Sequence, residues 1–490
     1  MNWALRRRYG ITGSALALLC AVYGLARLTD ASAQASLRPG GEKPLAVRRG
    51  DASINTQFKL ITVGDLIYWQ PVAKSPDLKL QEVLALLRSG DLAVGNLEGM
   101  SFDFKNFSGH EYGSALLWKE PTVPGDLRSI GIGAVSLANN HTMDWGWSGL
   151  KDTMRLLDRA GIGYAGAGPN LQAATAPAFV RTKKGLVALI SATSTTNAPD
   201  ESASDPYRGM PSRSGADVLR WRAVHLLTAD QFKMLRRLAT AQASEFERAP
   251  SREAREITFD GQQYRLSDHP GLRYEMNQFD LRAILQAVKT GRKSAQIVIF
   301  TIHAHETATG EDDGNPQPPD FLVTLAHRVI DAGADVFLAG GPHALRGIEV
   351  YKGHPIFYGI GSLFLRGKIV WGQEEAFDND FPGTPRGQWG PPWTWAQKPQ
   401  TCDRVEPQGD PQSWLDGLIA VTRFEKGRPR TVTLYPLNLG RGSCGPARRG
   451  IPHLAASPDA RRILEYLQRD SAEFGTEIAI RGSIGIIRIP

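Results

Sequence analysis

Residues 132–146 read IGAVSLANNHTMDWG, a stretch of strand character that ends in a group of polar side chains. Its apolar part, Ile132–Ala138, is followed directly by Asn139, Asn140 and His141. Strands often stop at asparagine because that side chain suits turns, so one such ending is weak evidence for a site. The recurrence of the same arrangement elsewhere in the chain makes it informative.

Four further apolar stretches end in residues that could bind a metal ion. In an open α/β sheet, the loops beyond the carboxyl ends of the strands diverge and leave a crevice for ligands. Oxygen and imidazole groups without thiolates suit Mn, Zn or Fe better than a closed structural zinc site. We therefore predict that the strand ends converge on one or two divalent metal ions. The four stretches are Phe58–Val63 before Asp65, Asp91–Gly95 before Asn96 and Glu98, Gln296–Ile302 before His303, His305 and Glu306, and Asp335–Leu338 before His343.

The residues between these strands have helical periodicity. Leu78–Leu87 and Ser148–Arg159 carry apolar residues at helical spacing, and each is followed by a glycine that stops the helix. Leu186–Ala192 is a continuous apolar run, which is typical of a strand buried on both faces. Alternating strands and helices predict an α/β layered domain.

The N-terminal residues are predicted to lie outside the fold. Arginines at 6–8 precede an apolar stretch at 11–26, and residues 33–35 read Ala-Gln-Ala, a small-residue cleavage site. Residues 1–35 therefore indicate a cleaved export signal, with an uncleaved membrane anchor as the alternative. Residues 36–55 are polar and aperiodic, as expected of a linker. We expect an exported protein of the periplasm or cell envelope that meets the membrane only through its signal.

The charge balance limits the kinds of partner. The formal net charge is +7, and removal of residues 1–35 takes away four arginines and one aspartate, which leaves about +4. That excess is too dilute to favour nucleic acid, because nucleic-acid binding requires Lys and Arg gathered on one face. It is compatible with an acidic polymer or with a phosphorylated small substrate.

Residues 197–280 interrupt the alternation of strands and helices. The stretch 197–216 is rich in Ser, Asp, Pro and Gly and is typical of a long loop. His225–Phe246 has helical spacing, and Thr258–Leu266 resembles a hairpin with an Asp-Gly turn. We interpret this block as a cap inserted over the crevice.

The main domain resumes with helix-like segments at Ala283–Val288 and Phe321–Ala332 and a strand-like run at Pro355–Leu365. Residues 371–415 then hold five tryptophans among many prolines and glycines, a composition that excludes a long helix or a central strand. We interpret this insert as an irregular loop pinned to the domain by its tryptophans; a platform for a ring-bearing ligand is the alternative. Residues 416–490 predict a hairpin, a helix and a closing strand.

Two cysteines would remain after removal of the export signal. Cys402 lies in the tryptophan-rich insert, and Cys444 lies near the closing strands. In an oxidising compartment the two could form a disulfide that joins the insert to those strands. Two buried free thiols are the alternative.

Three motifs resemble those of the CapA family of capsule-synthesis proteins, which is linked to poly-γ-glutamate. They are Gly64-Asp65, the stretch GNLEG at Gly95–Gly99 and the stretch LANNHTMDWG at Leu137–Gly146. The resemblance covers roughly residues 57–365. It implies the calcineurin-like metallophosphatase fold, a sandwich of two sheets flanked by helices. On this basis residues 56–370 form the main domain, with the inserted cap and the irregular C-terminal insert added to it.

The resemblance also implies roles for the residues at the strand ends. His141 would donate a proton to the leaving atom, a task suited to an imidazole that titrates near neutrality. Asp144 accompanies His141 as a candidate catalytic residue, but its place before the next helix favours a capping role. Glu306 would hold a neighbouring imidazole in its tautomer or be solvated. The implied metal ligands are Asp65, Glu98, Asn140, His303, His305 and His343, with Asn96 in support.

Three positions depart from the pattern of the family. Gly340 stands where members usually carry a histidine, and Ser362 stands where they usually carry an asparagine. Ile67 occupies the position two residues after Asp65, where classical two-metal phosphoesterases have a histidine. One complete metal centre is therefore expected rather than two.

Two functions fit these observations. The first is a metal-dependent hydrolase or transferase of the envelope, in which metal-activated water attacks a phosphate ester or a γ-glutamyl amide and His141 protonates the leaving group. The second is a non-catalytic component that binds or guides an acidic capsule polymer within a capsule-synthesis complex of the envelope. Gly340, the tryptophan-rich insert and the basic excess motivate this alternative.

Overall fold

The computed structural model describes residues 57–110, 115–242, 251, 253–310, 317–371, 414–441 and 448–490. These residues form five sheets with helices between their strands, which confirms the α/β class. The predicted export signal and linker, residues 372–413 of the tryptophan-rich insert, and both Cys402 and Cys444 lie outside the described residues.

The strands follow one another along the whole described chain, and most are short. They are β1 Phe58–Tyr68, β2 Leu92–Asn96, β3 Met100–Ser101, β4 Ala115–Lys119, β5 Ile132–Ser136, β6 Gly163–Ala165, β7 Ala167–Gly168, β8 Ala178–Thr182, β9 Gly185–Thr193, β10 Gly215–Ala216, β11 Trp221–Leu227, β12 Glu256–Phe259, β13 Gln262–Leu266, β14 Gly271–Met276, β15 Ile297–His303, β16 Val336–Gly340, β17 Ile348–Tyr351, β18 His354–Phe357, β19 Ser362–Arg366, β20 Lys368–Trp371, β21 Asp416–Glu425, β22 Arg428–Asn438, β23 His453–Leu454, β24 Ala479–Arg481 and β25 Ile484–Arg488.

Six of the eight α-helices in the described chain overlap the segments that apolar periodicity predicts, and Val123–Ile130 and Leu171–Ala174 are additional. The first begins after Asp77, whose carboxylate accepts the free backbone N–H groups of Lys79 and Leu80 as an N-cap. No helix among the described residues combines the length and the apolar character that crossing a bilayer requires. The α-helices of the described residues are α1 Leu78–Arg88, α2 Val123–Ile130, α3 Gly146–Ala160, α4 Leu171–Ala174, α5 Ala229–Gln242, α6 Gln278–Ser294, α7 Asp320–Asp331 and α8 Ser457–Ala472.

The largest sheet has ten strands with β1 near its centre. Its main order is β24-β25-β22-β21-β1-β2-β5-β6, and β19 and β23 pair with β1 and β22. The strands β1, β2 and β5 run parallel, so their carboxyl ends share one edge of the sheet. The register places Asp65 beside Asn96, and Asn96 beside Ser136. The ends of three predicted strands are therefore aligned by the hydrogen-bond ladder itself.

A second sheet of six strands carries the other predicted strand ends. Its order is β17-β18-β16-β15-β9-β8, and β9, β15, β16 and β18 run parallel. Register places His303, at the end of β15, between Thr193 of β9 and Gly340 of β16. The same buried cluster contains Leu60 and Val94 of the first sheet and Ile299 of the second. Apolar residues of both sheets therefore share one core.

The chain passes from one sheet to the other within the run Pro355–Leu365, which the sequence suggests is a single strand. The structure divides this run, because β18 pairs in the six-stranded sheet while β19 pairs with β1. Gly361 lies between them at φ 67, a conformation that glycine adopts without strain. Its carbonyl oxygen would lie 1.7 Å from a Cβ atom built on Gly64. Only glycine at position 64 therefore permits this crossing.

The inserted block contains more strand than its sequence suggests. The strands β12, β13, β11 and β14 form a four-stranded sheet, on which the apolar face of α5 packs through Phe232. The predicted hairpin is present, with Asp260 at φ 49 and Gly261 at φ 71 in its turn. The helical interpretation of His225 is wrong. That residue belongs to β11, and the helix begins at Ala229.

A buried carboxyl group with one unpartnered oxygen atom follows β10. Asp217 is 3% exposed, and among the described residues its Oδ2 atom has no partner. Burial raises the pKa of Asp217 to about 8, and the negative charge of Asp280 adds to the effect. The native state therefore keeps a proton at pH values where the unfolded chain has lost it.

This linkage makes the stability of the protein fall as the pH rises. Below about pH 4 both states hold the proton of Asp217, and between that value and about pH 8 only the native state does. In wild type, unfolding between these pH values releases the proton of Asp217, and Asp217→Asn removes this release. The variant should therefore melt at a higher temperature than wild type at pH 8, and the difference should be smaller at pH 4. The expected gain is on the order of a few kcal/mol. The measurement is the melting temperature of wild type and variant across pH 4–9, with exposed Asp268→Asn as the control. A constant difference between wild type and Asp217→Asn over this range would contradict the prediction.

Candidate metal centre

Asp65 lies at the middle of the predicted site and is fully buried. Its Oδ2 atom lies 3.0 Å from Nδ1 of His343, and its Oδ1 atom accepts a hydrogen bond of 2.9 Å from the amide of Asn96. Burial alone would raise the pKa of Asp65, but the hydrogen bond and charge of His343 outweigh it and hold that pKa below the ordinary value. Asp65 is therefore an ionised ligand candidate.

Glu98 completes a group that can hold a metal ion. One ligand atom from each of Asp65, Glu98 and His343 lies within 4.8 Å of the others. Burial and the neighbouring charge of Asp65 raise the pKa of the Glu98 carboxyl. Two buried carboxylates this close repel each other, and a cation between them would relieve the repulsion. Two carboxylates and one imidazole fit Mn, Zn or Fe.

The backbone of His343 supports the same interpretation. Its φ is 50, which is uncommon for a residue other than glycine and costs about 1 kcal/mol or more. This conformation directs the imidazole to Asp65, and the hydroxyl of Ser362 lies 3.2 Å from the same Nδ1 atom. Backbone strain of this kind is concentrated at functional sites, where the surrounding structure maintains it.

A second group of side chains adjoins the first. His303 Nε2 lies 2.9 Å from Oδ1 of Asn140 and 3.0 Å from Nε2 of His305. The other ring nitrogen of His303 lies 3.1 Å from the amide nitrogen of Asn96, which can only donate, so the proton of the neutral ring is assigned to Nε2. Burial and the adjacent His305 lower the pKa of His303 well below its ordinary value. His303 is therefore neutral.

His141 and Asp144 form a hydrogen-bonded pair at the edge of the centre. Nδ1 of His141 lies 2.8 Å from Oδ2 of Asp144, and Nε2 of His141 lies 3.8 Å from Glu98. Burial would lower the pKa of His141, but the charge and hydrogen bond of Asp144 raise it overall. The carboxylate thus fixes the tautomer and the orientation of the ring.

The predicted capping role of Asp144 is wrong. The helix α3 begins after Trp145, and no side chain caps it. The Asp144 carboxylate instead accepts the backbone N–H of Leu117, at 2.7 Å, in addition to bonding His141. Asp144 therefore connects the proton-donor candidate to the strand β4.

The role in holding a tautomer that was predicted for Glu306 is also wrong. Its carboxylate accepts hydrogen bonds from Ser194 at 2.7 Å, Thr195 at 3.1 Å and the indole of Trp221 at 2.9 Å. Thr195 in turn accepts the backbone N–H of His305. Glu306 therefore supports the loop that carries the two histidines.

The departures from the family pattern can be located in this geometry. A Cβ atom on Gly340 would lie 3.3 Å from Oδ1 of Asp65, so a side chain at this position would enter the centre. Ile67 is buried against Leu117 and forms part of the core. The positions that would supply a second set of ligands are thus a glycine and a core isoleucine.

All eight predicted site residues belong to one connected network. Asp65 contacts His343 and lies 4.0 Å from His303, and the latter contacts both Asn140 and His305. Glu98 joins the pair of His141 and Asp144 to this group through the amide of Asn96 and through its own approach to His141.

Three further residues contribute to the site and were not among the predicted ones. Ser194 and Thr195 follow the apolar run Leu186–Ala192, so the same strand-end signal identifies them. The ring of Trp414 lies 5.5 Å from that of His343. Trp414 closes the tryptophan-rich insert, and composition alone does not distinguish it from the other four tryptophans there.

Comparison with known proteins adds independent evidence. The sequence profile described as "Bacterial capsule synthesis protein PGA_cap" matches residues 59–365, which is more than half of the chain. That range includes every predicted site residue.

Several curated relatives extend the match. The chain is 35% identical over 442 residues to the uncharacterised protein y4sH of Sinorhizobium fredii, covering 88% of this chain and 93% of the relative. It is 25% identical to the capsule biosynthesis protein CapA of Bacillus anthracis, over 63% of this chain and 60% of the relative. It is 23% identical to the PGA biosynthesis protein CapA of Bacillus subtilis, over 66% of each.

Proposed function

This chain belongs to the family of bacterial capsule synthesis proteins PGA_cap, and from that premise we propose that it is a metal-dependent hydrolase of poly-γ-glutamate capsule synthesis or processing. The observation that carries the proposal is the buried group of Asp65, Glu98 and His343 beside the pair of His141 and Asp144. We propose the periplasm or cell envelope as the location of this activity, and the resemblance of residues 1–35 to an export signal supports that proposal.

We further propose that the domain is built as the two-sheet sandwich of the metallophosphatases. The shared core between the ten-stranded and six-stranded sheets supports this arrangement. Helices on the outer faces support it as well, because Leu84 of α1 and Leu325 of α7 lie in two separate clusters outside the shared core. In such a sandwich the parallel strands of both sheets deliver their carboxyl ends to one crevice.

In the proposed mechanism Asp65, Glu98 and His343 hold the ion, with Asn140, His303 and His305 as the adjoining groups. A bound cation would polarise the substrate and supply a hydroxide equivalent near neutral pH. His141 donates its Nε2 proton to the leaving nitrogen or oxygen as the scissile bond breaks. Asp144 accepts from Nδ1 and so keeps Nε2 directed at the site.

Two substrate classes fit this chemistry. The names of the relatives favour a γ-glutamyl amide of the capsule polymer, and a phosphate ester is the alternative that the superfamily suggests. The fold by itself does not choose between them. A non-catalytic role in binding the polymer is the second candidate, and the missing ligand at Gly340 supports it.

His141→Gln tests the proposed chemistry. We expect hydrolysis to slow by about 10²–10⁴-fold with unchanged metal content, because the variant loses the proton donor and keeps the ligand group. The measurement compares purified protein loaded with Mn, Zn or Fe, by metal analysis and by turnover of γ-glutamyl oligomers and aryl phosphate esters. Exposed His269→Gln is the control. Stoichiometric metal with no turnover of either substrate by wild type would instead favour the non-catalytic role.

A further inference from the structure

A cavity of about 650 Å³ lies away from the metal centre, between the inserted sheet and the main domain. The strands β11 and β14 form one wall, and the helix α7 forms the other through Asp320, Thr324 and Arg328. These three residues are spaced by four, so they share one face of the helix. The volume falls within the range of roughly 300–1,000 Å³ that is typical of ligand sites.

The inner wall of the cavity is aromatic and rigid. The ring of Tyr274 lies 4.9 Å from that of Trp221 and 5.5 Å from that of Phe321, both in edge-to-face contact. The Tyr274 hydroxyl donates to the backbone carbonyl of Thr307 at 3.1 Å. Such a wall suits the methylene groups of a flexible acidic chain.

The rim of the cavity is lined with arginines. The side chains of Arg220, Arg222 and Arg273 are 60, 58 and 60% exposed. Two of them form ion pairs, Arg220 with Asp280 and Arg222 with Glu275, at 2.6 Å each.

The remaining two arginines are less constrained. Arg273 lies 3.9 Å from Asp320, and Arg328 forms no ion pair among the described residues. Four arginines therefore line a cavity to which only two acidic residues, Glu275 and Asp320, contribute. The excess of positive charge is modest and spread along the rim.

The cavity is joined to the loop that carries the site histidines. The indole of Trp221 donates to Oε1 of Glu306, and Glu306 follows His305 directly. Tyr274 bonds the next residue, Thr307. Two hydrogen bonds therefore connect the aromatic wall to the segment His303–Thr307, which carries the histidines of the site.

We infer that this cavity is a second binding site for the acidic polymer, at which carboxylates of successive glutamyl units pair with the rim arginines. The identity of the polymer rests on the proposed function. Guanidinium groups bind carboxylates in a forked geometry, and pairs spread along a rim match single charges repeated along a chain. Densely charged polyphosphate would require a larger excess of cations than this rim offers.

The test measures binding of a fluorescein-labelled γ-linked glutamate decamer to the full chain by anisotropy at several chloride concentrations. Arg273→Gln with Arg328→Gln removes two rim charges, and neither change takes away a close carboxylate partner. We expect binding about tenfold weaker, with a shallower dependence on salt. The matched control is Arg428→Gln with Arg481→Gln, two exposed arginines outside the cavity that form no ion pair with any described residue. It should change affinity by less than about twofold.

Three results would overturn the inference: equal weakening in both double variants, no binding of the decamer by wild type, or tighter binding of polyphosphate of matched length. Failure of the proposed function is distinguishable from these. If wild type shows no hydrolysis with any of the metals but the rim variant still weakens decamer binding selectively, the second binding site is supported and the hydrolase proposal fails.

Discussion

Asp65→Asn is expected to remove the bound metal and to lower hydrolytic turnover by about a thousandfold or more. The substitution keeps the size of the side chain and one oxygen, but it deletes the negative charge that faces His343 and that would hold the proposed ion. Metal catalysis contributes several kcal/mol of charge stabilisation in the transition state, and about 4 kcal/mol corresponds to roughly a thousandfold in rate. Metal analysis and turnover of γ-glutamyl oligomers measure the two effects together.

A buried carboxylate outside the centre provides the control for this variant. Asp126 is 6% exposed and accepts the backbone N–H groups of Val72 and Ala73. Asp126→Asn should cost stability and leave the metal content unchanged, because that carboxylate holds backbone rather than a cation. Retention of stoichiometric metal and full turnover in Asp65→Asn would refute the assignment of Asp65 as a ligand.

Gly64→Ala is expected to destabilise the protein by about 3 kcal/mol or more, or to prevent folding. The added Cβ atom would lie 1.7 Å from the carbonyl oxygen of Gly361 and 2.8 Å from its carbonyl carbon. Both obstacles are backbone atoms of Gly361, in the link between β18 and β19, so no side-chain rotation relieves them. Denaturant unfolding measures the loss, and metal content should fall as well because Asp65 is the next residue.

Gly125→Ala is the matched control. A Cβ atom at that position of α2 has no neighbour within 4 Å, and alanine favours a helix by up to about 1 kcal/mol over glycine. The control should therefore be neutral or slightly stabilising. If the unfolding free energy of Gly64→Ala is within about 0.5 kcal/mol of the wild-type value, the close approach of Gly64 to Gly361 is not present in solution.

The strand-end pattern was enough to predict which residues meet. Asp65, Asn96 and the loop beyond Ser136 come together because parallel pairing aligns β1, β2 and β5 at one edge. His303 and Gly340 are aligned by the second sheet in the same way. Such alignment follows from local apolar runs and needs no knowledge of distant contacts.

The roles of individual side chains were harder to predict because they depend on distant partners. The neighbouring residues of Asp144 predict a helix cap. Its carboxylate instead bonds the backbone N–H of Leu117, 27 residues earlier, and the imidazole of His141. Glu306 accepts hydrogen bonds from Ser194 and Trp221, which lie more than 80 residues earlier. Local spacing does not encode these pairings.

The break within Pro355–Leu365 had a different origin. Both halves of this run are apolar and favour strand, so periodicity cannot show that they belong to different sheets. The chain changes sheets at Gly361, whose φ is positive. The sequence shows the glycine but not its φ angle.

The hydrogen bonds from the inserted block to the strand-end loops have a consequence for how this protein can be changed. Asn197 donates to the backbone carbonyl of Asn140, and Trp221 donates to Glu306, so the insertion touches the loops on both sides of the crevice. A chimera that received the corresponding block of a relative would lose these donors unless the relative supplied equivalents. Exchanges between homologues should therefore succeed only when both anchoring donors travel with the transplanted segment.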